Sequence, residues 1–365
     1  MRERLGERVR STLQKLLLLT GSLLVSAFLM EAAVLVFVGE QPKVPRHVVG
    51  GLFGLRINDS NVTYRHKTAD VTVSFHINGQ GMRAERDYSY LKPPGVKRIV
   101  TLGDSFTMGH EVSFEDTFSR VLEDVLRKSG VSVEVLNTGV SGYGTAEECL
   151  YLERELFKYS PDVVIVGFFG NDLVDNVRSN LFALRGNELA QIGREYVPLG
   201  RFGDFLNRNL VLNFLSERSN AFAFTKERIT ELLKRRAIKD NVRNLNGAMG
   251  RDSDPDEQAS YQRKLTAAIF ERIYADTRRA GIPLIIQSIP FLGEDPESLV
   301  EVFPLGEFDV NRDGVYFVAG KDFLAPVLGK ETLYWQRSDG HWTPLSHDRS
   351  GKALAGLILQ KNFLR

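Results

Sequence analysis

The chain has 365 residues, 43% of them hydrophobic and 25% charged, with a formal net charge of +1. Those proportions are ordinary for a soluble globular domain, and the near-zero net charge gives no sign of nucleic-acid binding or of a strongly charged partner. A single cysteine, Cys149, excludes an internal disulfide, and its place in a helical stretch at 146–157 reads as core.

Residues 16–39 are a long apolar stretch, broken by Glu31 and a few small polar residues. Before it come Arg2, Arg4, Arg8, Arg10 and Lys15, set against Glu3 and Glu7. About 20 apolar residues span a bilayer. The excess of Lys and Arg predicts a cytoplasmic basic tail at 1–15, a single-pass anchor at 16–39 and a catalytic domain on the extracytoplasmic side. A cleaved signal peptide competes, since Ser26 and Ala27 place small residues near the end of an apolar run. Apolar character that continues to Val38 favours the anchor; Glu31 counts against it, because a carboxylate in a span is costly unless protonated, paired or near the interface.

Residues 40–96 read as a linker followed by a β-rich prelude. Residues 42–49 are the linker, and 52–90 alternate polar and apolar positions, as in Val71-Thr72-Val73-Ser74-Phe75-His76. Pro93-Pro94-Gly95 then breaks the pattern. From 97 to the C-terminus, strands near 97–102, 132–137, 162–168 and 283–289 alternate with helices near 115–128, 145–158 and 261–280. Such alternation implies a parallel sheet with helices on both faces. A last helix is predicted near 347–361.

Four blocks sit at the ends of these elements. Gly103-Asp104-Ser105 follows the first core strand, where a serine faces the crevice of an open α/β sheet and can serve as a nucleophile. Asn137-Thr138-Gly139-Val140-Ser141-Gly142 follows the second strand, with glycines for a tight turn. Gly170-Asn171-Asp172 follows the third and offers an amide side chain. Ser338-Asp339-Gly340-His341-Trp342 brings a carboxylate and an imidazole together before the last helix. Nucleophile, polar donors and an Asp/His pair make a catalytic constellation. Blander readings exist for each: Ser105 and Asn171 as helix caps, Asp104 as a turn acid bonded to neighbouring N–H groups, Asp339-Gly340 as a plain turn.

In that order the blocks resemble the SGNH, or GDSL-type, hydrolase family, over roughly residue 97 to the C-terminus with an insertion at about 173–260. The resemblance implies a three-layer α/β/α, flavodoxin-like fold, with Ser105 as nucleophile and His341 as general base oriented by Asp339. The oxyanion hole it implies is made by the N–H groups of Ser105 and Gly142 and the Asn171 side chain. Two departures stand out. Phe169 occupies a position where many members carry glycine. The acid-to-base spacing is Asp-x-His rather than Asp-x-x-His, a form similar to that of polysaccharide acetyltransferase and acetylesterase relatives. His347 is a second candidate base, with no carboxylate shortly before it.

The insertion carries helical spacing at 219–239 and five phenylalanines, Phe202, Phe205, Phe214, Phe222 and Phe224. It reads either as a lid or cleft wall, or as a packing subdomain. Asp309-Val310-Asn311-Arg312-Asp313-Gly314 matches the opening of a calcium loop, but Gly320 stands where the bidentate carboxylate is required, so it reads as a turn. No phosphate loop or zinc spacing is present, and neither metal nor cofactor is expected. The leading expectation is a membrane-anchored serine esterase acting on an acylated small molecule, lipid or glycan, with no nucleic-acid partner. An O-acyltransferase on an exported glycan and a non-catalytic glycan-binding protein are the alternatives.

Overall fold

In the computed structural model, residues 2–45, 47–51, 53–196, 205, 208–229, 232, 254–295, 297–338 and 340–364 are described. Helix α1 (Arg2–Phe37) takes in both the basic tail and the apolar stretch. Its residues Arg10–Phe37, 28 in number, are long and apolar enough to cross a membrane, and only 6% of the most apolar window is buried against the protein. At about 1.5 Å per residue they exceed the ~30 Å of a hydrocarbon core.

The prelude forms two small antiparallel hairpins. β1 (Val48–Gly50) pairs with β2 (Arg56–Asn58), and β3 (Val62–Lys67) with β4 (Thr72–Ile77). Alternation along β4 buries Val73, Phe75 and Ile77 and exposes Thr72 and Ser74, as a one-sided hairpin requires.

The core begins with β5 (Lys97–Gly103), the four-residue helix α2 (Ser105–Met108) and α3 (Phe118–Lys128). Then come β6 (Val133–Asn137), α4 (Thr145–Arg154), β7 (Val163–Phe169) and α5 (Asp172–Ser179). The hairpin β8 (Phe182–Arg185) and β9 (Glu188–Gln191) leads to helices α6 (Leu210–Arg218) and α7 (220–229). Helix α8 (Pro255–Arg279) returns to the sheet through β10 (Leu284–Ile289). The short pair β11 (Phe291–Leu292) and β12 (Leu299–Val300), β13 (Val315–Ala319), α9 (Gly320–Leu324) and α10 (Pro344–Lys361) complete the chain.

The five core strands are parallel in the order β13-β10-β7-β5-β6. Counted along the chain this is 2-1-3-4-5, the flavodoxin-like doubly wound order, whose switch point lies between β5 and β7. Alternate residues of each strand feed opposite layers. Val100, Leu102, Val164, Val166, Leu284 and Ile286 pack with α4 and α8. Ile99, Val133, Val135, Val163, Ile165 and Ile285 pack with α3 and α10. The expected α/β/α fold is met. Cys149 is buried in the first of these layers.

The structure adds β13, absent from the predicted strands, whose residues Tyr316, Phe317 and Val318 are only partly buried at the sheet edge. It also adds the β8–β9 hairpin within the insertion. Helix α10 starts at Pro344, three residues earlier than predicted, because Thr343 takes the cap position and proline fits the first turn. The predicted helix at 219–239 is present over 220–229; most of its remainder lies outside the described residues.

Candidate active site

Strand β5 ends at Gly103, and the chain turns at once into α2. A Cβ at Gly103 would sit 1.9 Å from Thr107 Oγ1, so only glycine allows the helix to fold back this closely on the strand. Asp104 caps the helix, its Oδ1 accepting the Phe106 N–H at 2.8 Å. Asp104 is therefore the turn acid that its residue type suggested, and Ser105 is the first helical residue rather than the cap. Its N–H belongs to the first turn, where helical N–H groups have no intrahelical partner.

The loop before α10 brings His341 to this turn. His341 Nε2 lies 2.8 Å from Ser105 Oγ. The ring is sandwiched by His110 and Phe106, at centroid distances of 4.7 and 4.9 Å, and Phe106 in turn packs on Phe169 at 4.4 Å. Phe169 thus supports the wall behind the imidazole. On the other side of the ring, Nδ1 faces the carboxylate of Glu111, with Oε2 at 3.4 Å. Asp339 lies outside the described residues.

Asn171 sits at the cap position of α5, yet its side chain does not cap the helix. Its Nδ2 approaches Asp104 Oδ2 at 3.3 Å and Asp175 Oδ2 at 3.4 Å instead. That ties the third block to the Gly-Asp-Ser turn. Gly142 adopts φ +80°, and its carbonyl accepts from the Arg56 guanidinium, itself paired with buried Glu147 at 2.9 Å. His347 is elsewhere: it is fully buried, and its Nδ1 accepts the Phe118 N–H at 3.3 Å. Burial holds its pKa down at about 3, so it is a neutral structural group.

Beneath the nucleophile turn lie the buried carboxyls of Asp104, Glu148, Asp172 and Asp175. Burial pushes Glu148 and Asp172 well above the carboxylate range, and their mutual repulsion with Asp104 pushes the same way. Asp175 is raised to about 7 by burial, against the pull of Arg178. Such a cluster retains protons at neutral pH, because several buried like charges cannot all ionise.

The prelude holds both loops of the site. Arg83 is fully buried and donates to the carbonyls of Met108, Gly109 and Val112, bracing the turn after α2. Asp70, in the β3–β4 turn, accepts from the Arg337 N–H at 2.7 Å and the Ser338 hydroxyl at 3.2 Å, bracing the loop that leads to His341. Sequence reading singled out neither residue, nor Glu111, since nothing in local spacing links them to the blocks. Among the described residues no group of three or more His, Cys, Asp or Glu is placed to hold a metal. In the Asp309–Gly314 turn, Asp309 Oδ1 accepts the Asn311 N–H at 2.9 Å and Asp313 pairs with Arg278.

A doubly wound sheet with a serine at the end of its first strand, and a histidine on that serine from the loop before the last helix, is the arrangement that the four sequence blocks implied. By this fold and by the order of its four blocks the chain resembles the SGNH, or GDSL-type, hydrolases. An arylesterase from Vibrio mimicus is 30% identical over 76 residues, which are 21% of this chain and 38% of that protein's length. Among solved structures, a member of the lipolytic G-D-S-L family from Veillonella parvula aligns over 72% of this chain and 99% of its own, at 10% identity and a TM-score of 0.39. The acetylxylan esterase Axe2 from Geobacillus stearothermophilus covers 72% of this chain and 94% of its own, at 13% identity and a TM-score of 0.38. No family model matches the chain.

Proposed function

We propose that the protein is a membrane-anchored serine esterase that cleaves O-acyl esters on the extracytoplasmic side through an acyl-serine intermediate. The observation that carries this reading is the 2.8 Å contact between Ser105 Oγ and His341 Nε2 at the switch point of the sheet.

In the reaction, Nε2 takes the Ser105 proton as Oγ attacks the ester carbonyl carbon. Positioned proton transfer of this kind contributes about 10²–10⁴ in rate. The oxyanion that forms is met by the N–H groups of Ser105 and Gly142 and by the Asn171 amide, each such donor being worth about 10²–10³ in turnover. The imidazolium returns its proton to the departing alcohol oxygen, leaving the acyl group on Ser105. A water molecule, deprotonated by the same nitrogen, then releases the acid.

The apolar part of α1 and the basic residues in its first turns support an anchored enzyme facing outward. That location and the Asp-x-His-Trp block support an acylated glycan or a lipid-like ester as substrate. The test is hydrolysis of short and medium acyl p-nitrophenyl esters by the detergent-solubilised full chain, beside Ser105→Ala. Activity should fall at least about 10³-fold in a folded variant. Equal rates for the two proteins would sink the reading.

A further inference from the structure

The base of an acyl-serine mechanism needs its second ring nitrogen protonated and held, and in this family resemblance places that task on the acid of the histidine block. The geometry points to a different residue: we propose that Glu111 is the carboxylate that orients His341 and stabilises its imidazolium. The assignment rests on the reading of His341 as general base.

Three observations carry it. The first is alignment through one ring, with Ser105 Oγ 2.8 Å from Nε2 and Glu111 Oε2 3.4 Å from Nδ1. Nucleophile, base and carboxylate lie on successive sides of the imidazole, the arrangement by which an acid selects the tautomer with its proton on Nδ1. A separation of 3.4 Å is long for a hydrogen bond, and such contacts commonly tighten when substrate binds.

The second is burial with no other counter-ion among the described residues. The Glu111 side chain is fully buried, and its ion-pair partner is His341. Burial alone would raise its pKa; the neighbouring His341 imidazole above all, with the nearby Ser338 and Thr68 side chains, holds it below the ordinary value. It is therefore an anion where an imidazolium must be stabilised.

The third is backbone strain that the fold holds in place. Glu111 has φ +67°, in the left-handed region that non-glycine residues rarely occupy. Arg83 grips the carbonyls of Met108, Gly109 and Val112 around it, and the Trp335 indole N–H donates to the Glu111 carbonyl at 3.2 Å. Residues kept in sparsely populated backbone regions persist where surrounding structure over-determines them, and they cluster at functional sites. Here the strained turn is what aims the carboxylate at Nδ1.

Other ionisable groups also act on this pair. Asp104 approaches from the Gly-Asp-Ser turn, His110 packs tilted against the ring, and His66 of β3 and His347 are within electrostatic reach of it. None of them places a carboxylate on Nδ1.

The experiment compares the full chain in detergent with Glu111→Gln, Glu111→Asp and Asp339→Asn. Ester kinetics are followed across pH, and the His341 ring is titrated by NMR with isotope-labelled histidine. Glu111→Gln should lower kcat by about 10²–10⁴-fold with KM changed less than about threefold. It should also move the acidic limb of kcat/KM, and the His341 pKa, down by about one unit. Glu111→Asp should keep the position of that limb while losing part of kcat. An unmoved His341 pKa in Glu111→Gln reduces the residue to a loop support and overturns the proposal, even if the rate falls. A larger shift in Asp339→Asn overturns it in favour of Asp339. Should Glu111→Gln not fold, the Nδ1 proton resonance decides. Its presence in both wild type and Asp339→Asn supports Glu111, and its absence from the wild type, or its loss in Asp339→Asn, overturns it. If no ester is turned over, the esterase reading fails while the titration still settles the role of Glu111.

Discussion

A methyl group at Gly103 would meet Thr107 side-chain atoms at 1.9 and 2.6 Å and the Gly167 carbonyl at 3.1 Å, so the first letter of the Gly-Asp-Ser turn is set by sterics. The second is set by hydrogen bonding, with Asp104 accepting the Phe106 N–H. Only Ser105 remains for chemistry. Behind this turn Asp175 illustrates how burial stores pH dependence. Its pKa of about 7 when folded exceeds the ~3.9 of an unfolded aspartate. The folded state holds that proton more tightly, so its contribution to stability is complete below the unfolded value and is lost as pH rises from about 4 to about 7. Asp175→Asn removes the titration. Relative to wild type, the variant should gain about 2 kcal/mol in unfolding free energy between pH 5 and pH 8. Denaturant titrations at both pH values check this, and parallel pH profiles for the two proteins would show that Asp175 ionises normally.

At the scale of elements, the prelude hairpins brace the site from outside the sheet. Arg83 carries a cation into a fully buried position with no carboxylate on it, where desolvation lowers its pKa to about 10. What offsets that cost is its donation to three carbonyls of the turn that carries Glu111, together with its stacking on Phe75 at 3.9 Å. Arg83→Met keeps much of the volume and leaves those carbonyls unpaired. Hydrogen bonds to charged groups are worth about 1.5–3 kcal/mol each, and part of that returns when a buried cation is removed. The expected net loss is about 2–4 kcal/mol, with kcat falling alongside as the turn relaxes. Urea unfolding together with ester kinetics reads both; a variant as stable and as active as wild type would rule out the brace. Element boundaries also mark the limits of sequence reading. The strands β5, β6, β7 and β10 are rich in apolar residues and buried on both faces, which is why they were legible. Strand β13 is an edge strand with a mixed face, and it directly follows the Asp309–Gly314 segment, which reads as a turn.

For the whole molecule, Glu31 links the apolar N-terminal helix to the insertion. Its carboxylate accepts from the Asn220 and Ala221 N–H groups at 2.8 and 2.9 Å and from the Ser219 hydroxyl at 2.7 Å. It caps the N-terminus of α7 from a distant part of the chain, and so the charge that counted against a span is paired. Helix α6 packs near β3, and Arg208 pairs with Asp59 at 3.0 Å, so the described part of the insertion rests on the prelude and on α1. Glu31→Ala should cost about 1 kcal/mol, the usual value of a helix cap. Amide exchange at Asn220 and Ala221 should speed up in the detergent-solubilised variant. Unchanged protection there would mean the cap does not hold in solution.

From the sequence alone came four of the five core strands and the helices between them, the Gly-Asp-Ser turn, the histidine that meets it and the apolar helix at the N-terminus. Each is written in local signals: runs of apolar residues, glycine at tight turns, a serine just past a strand. The tertiary structure alone decided which carboxylate faces His341 Nδ1, which residues brace the two loops, and what partners Glu31. Ser105 and His341 are separated by 236 positions, and Glu31 and Asn220 by 189. The blocks at the first pair announced themselves by their type. Glu111, Arg83, Asp70 and Glu31 did not, because a charged residue's partner is chosen by where the folded chain brings it, and no local spacing encodes that meeting.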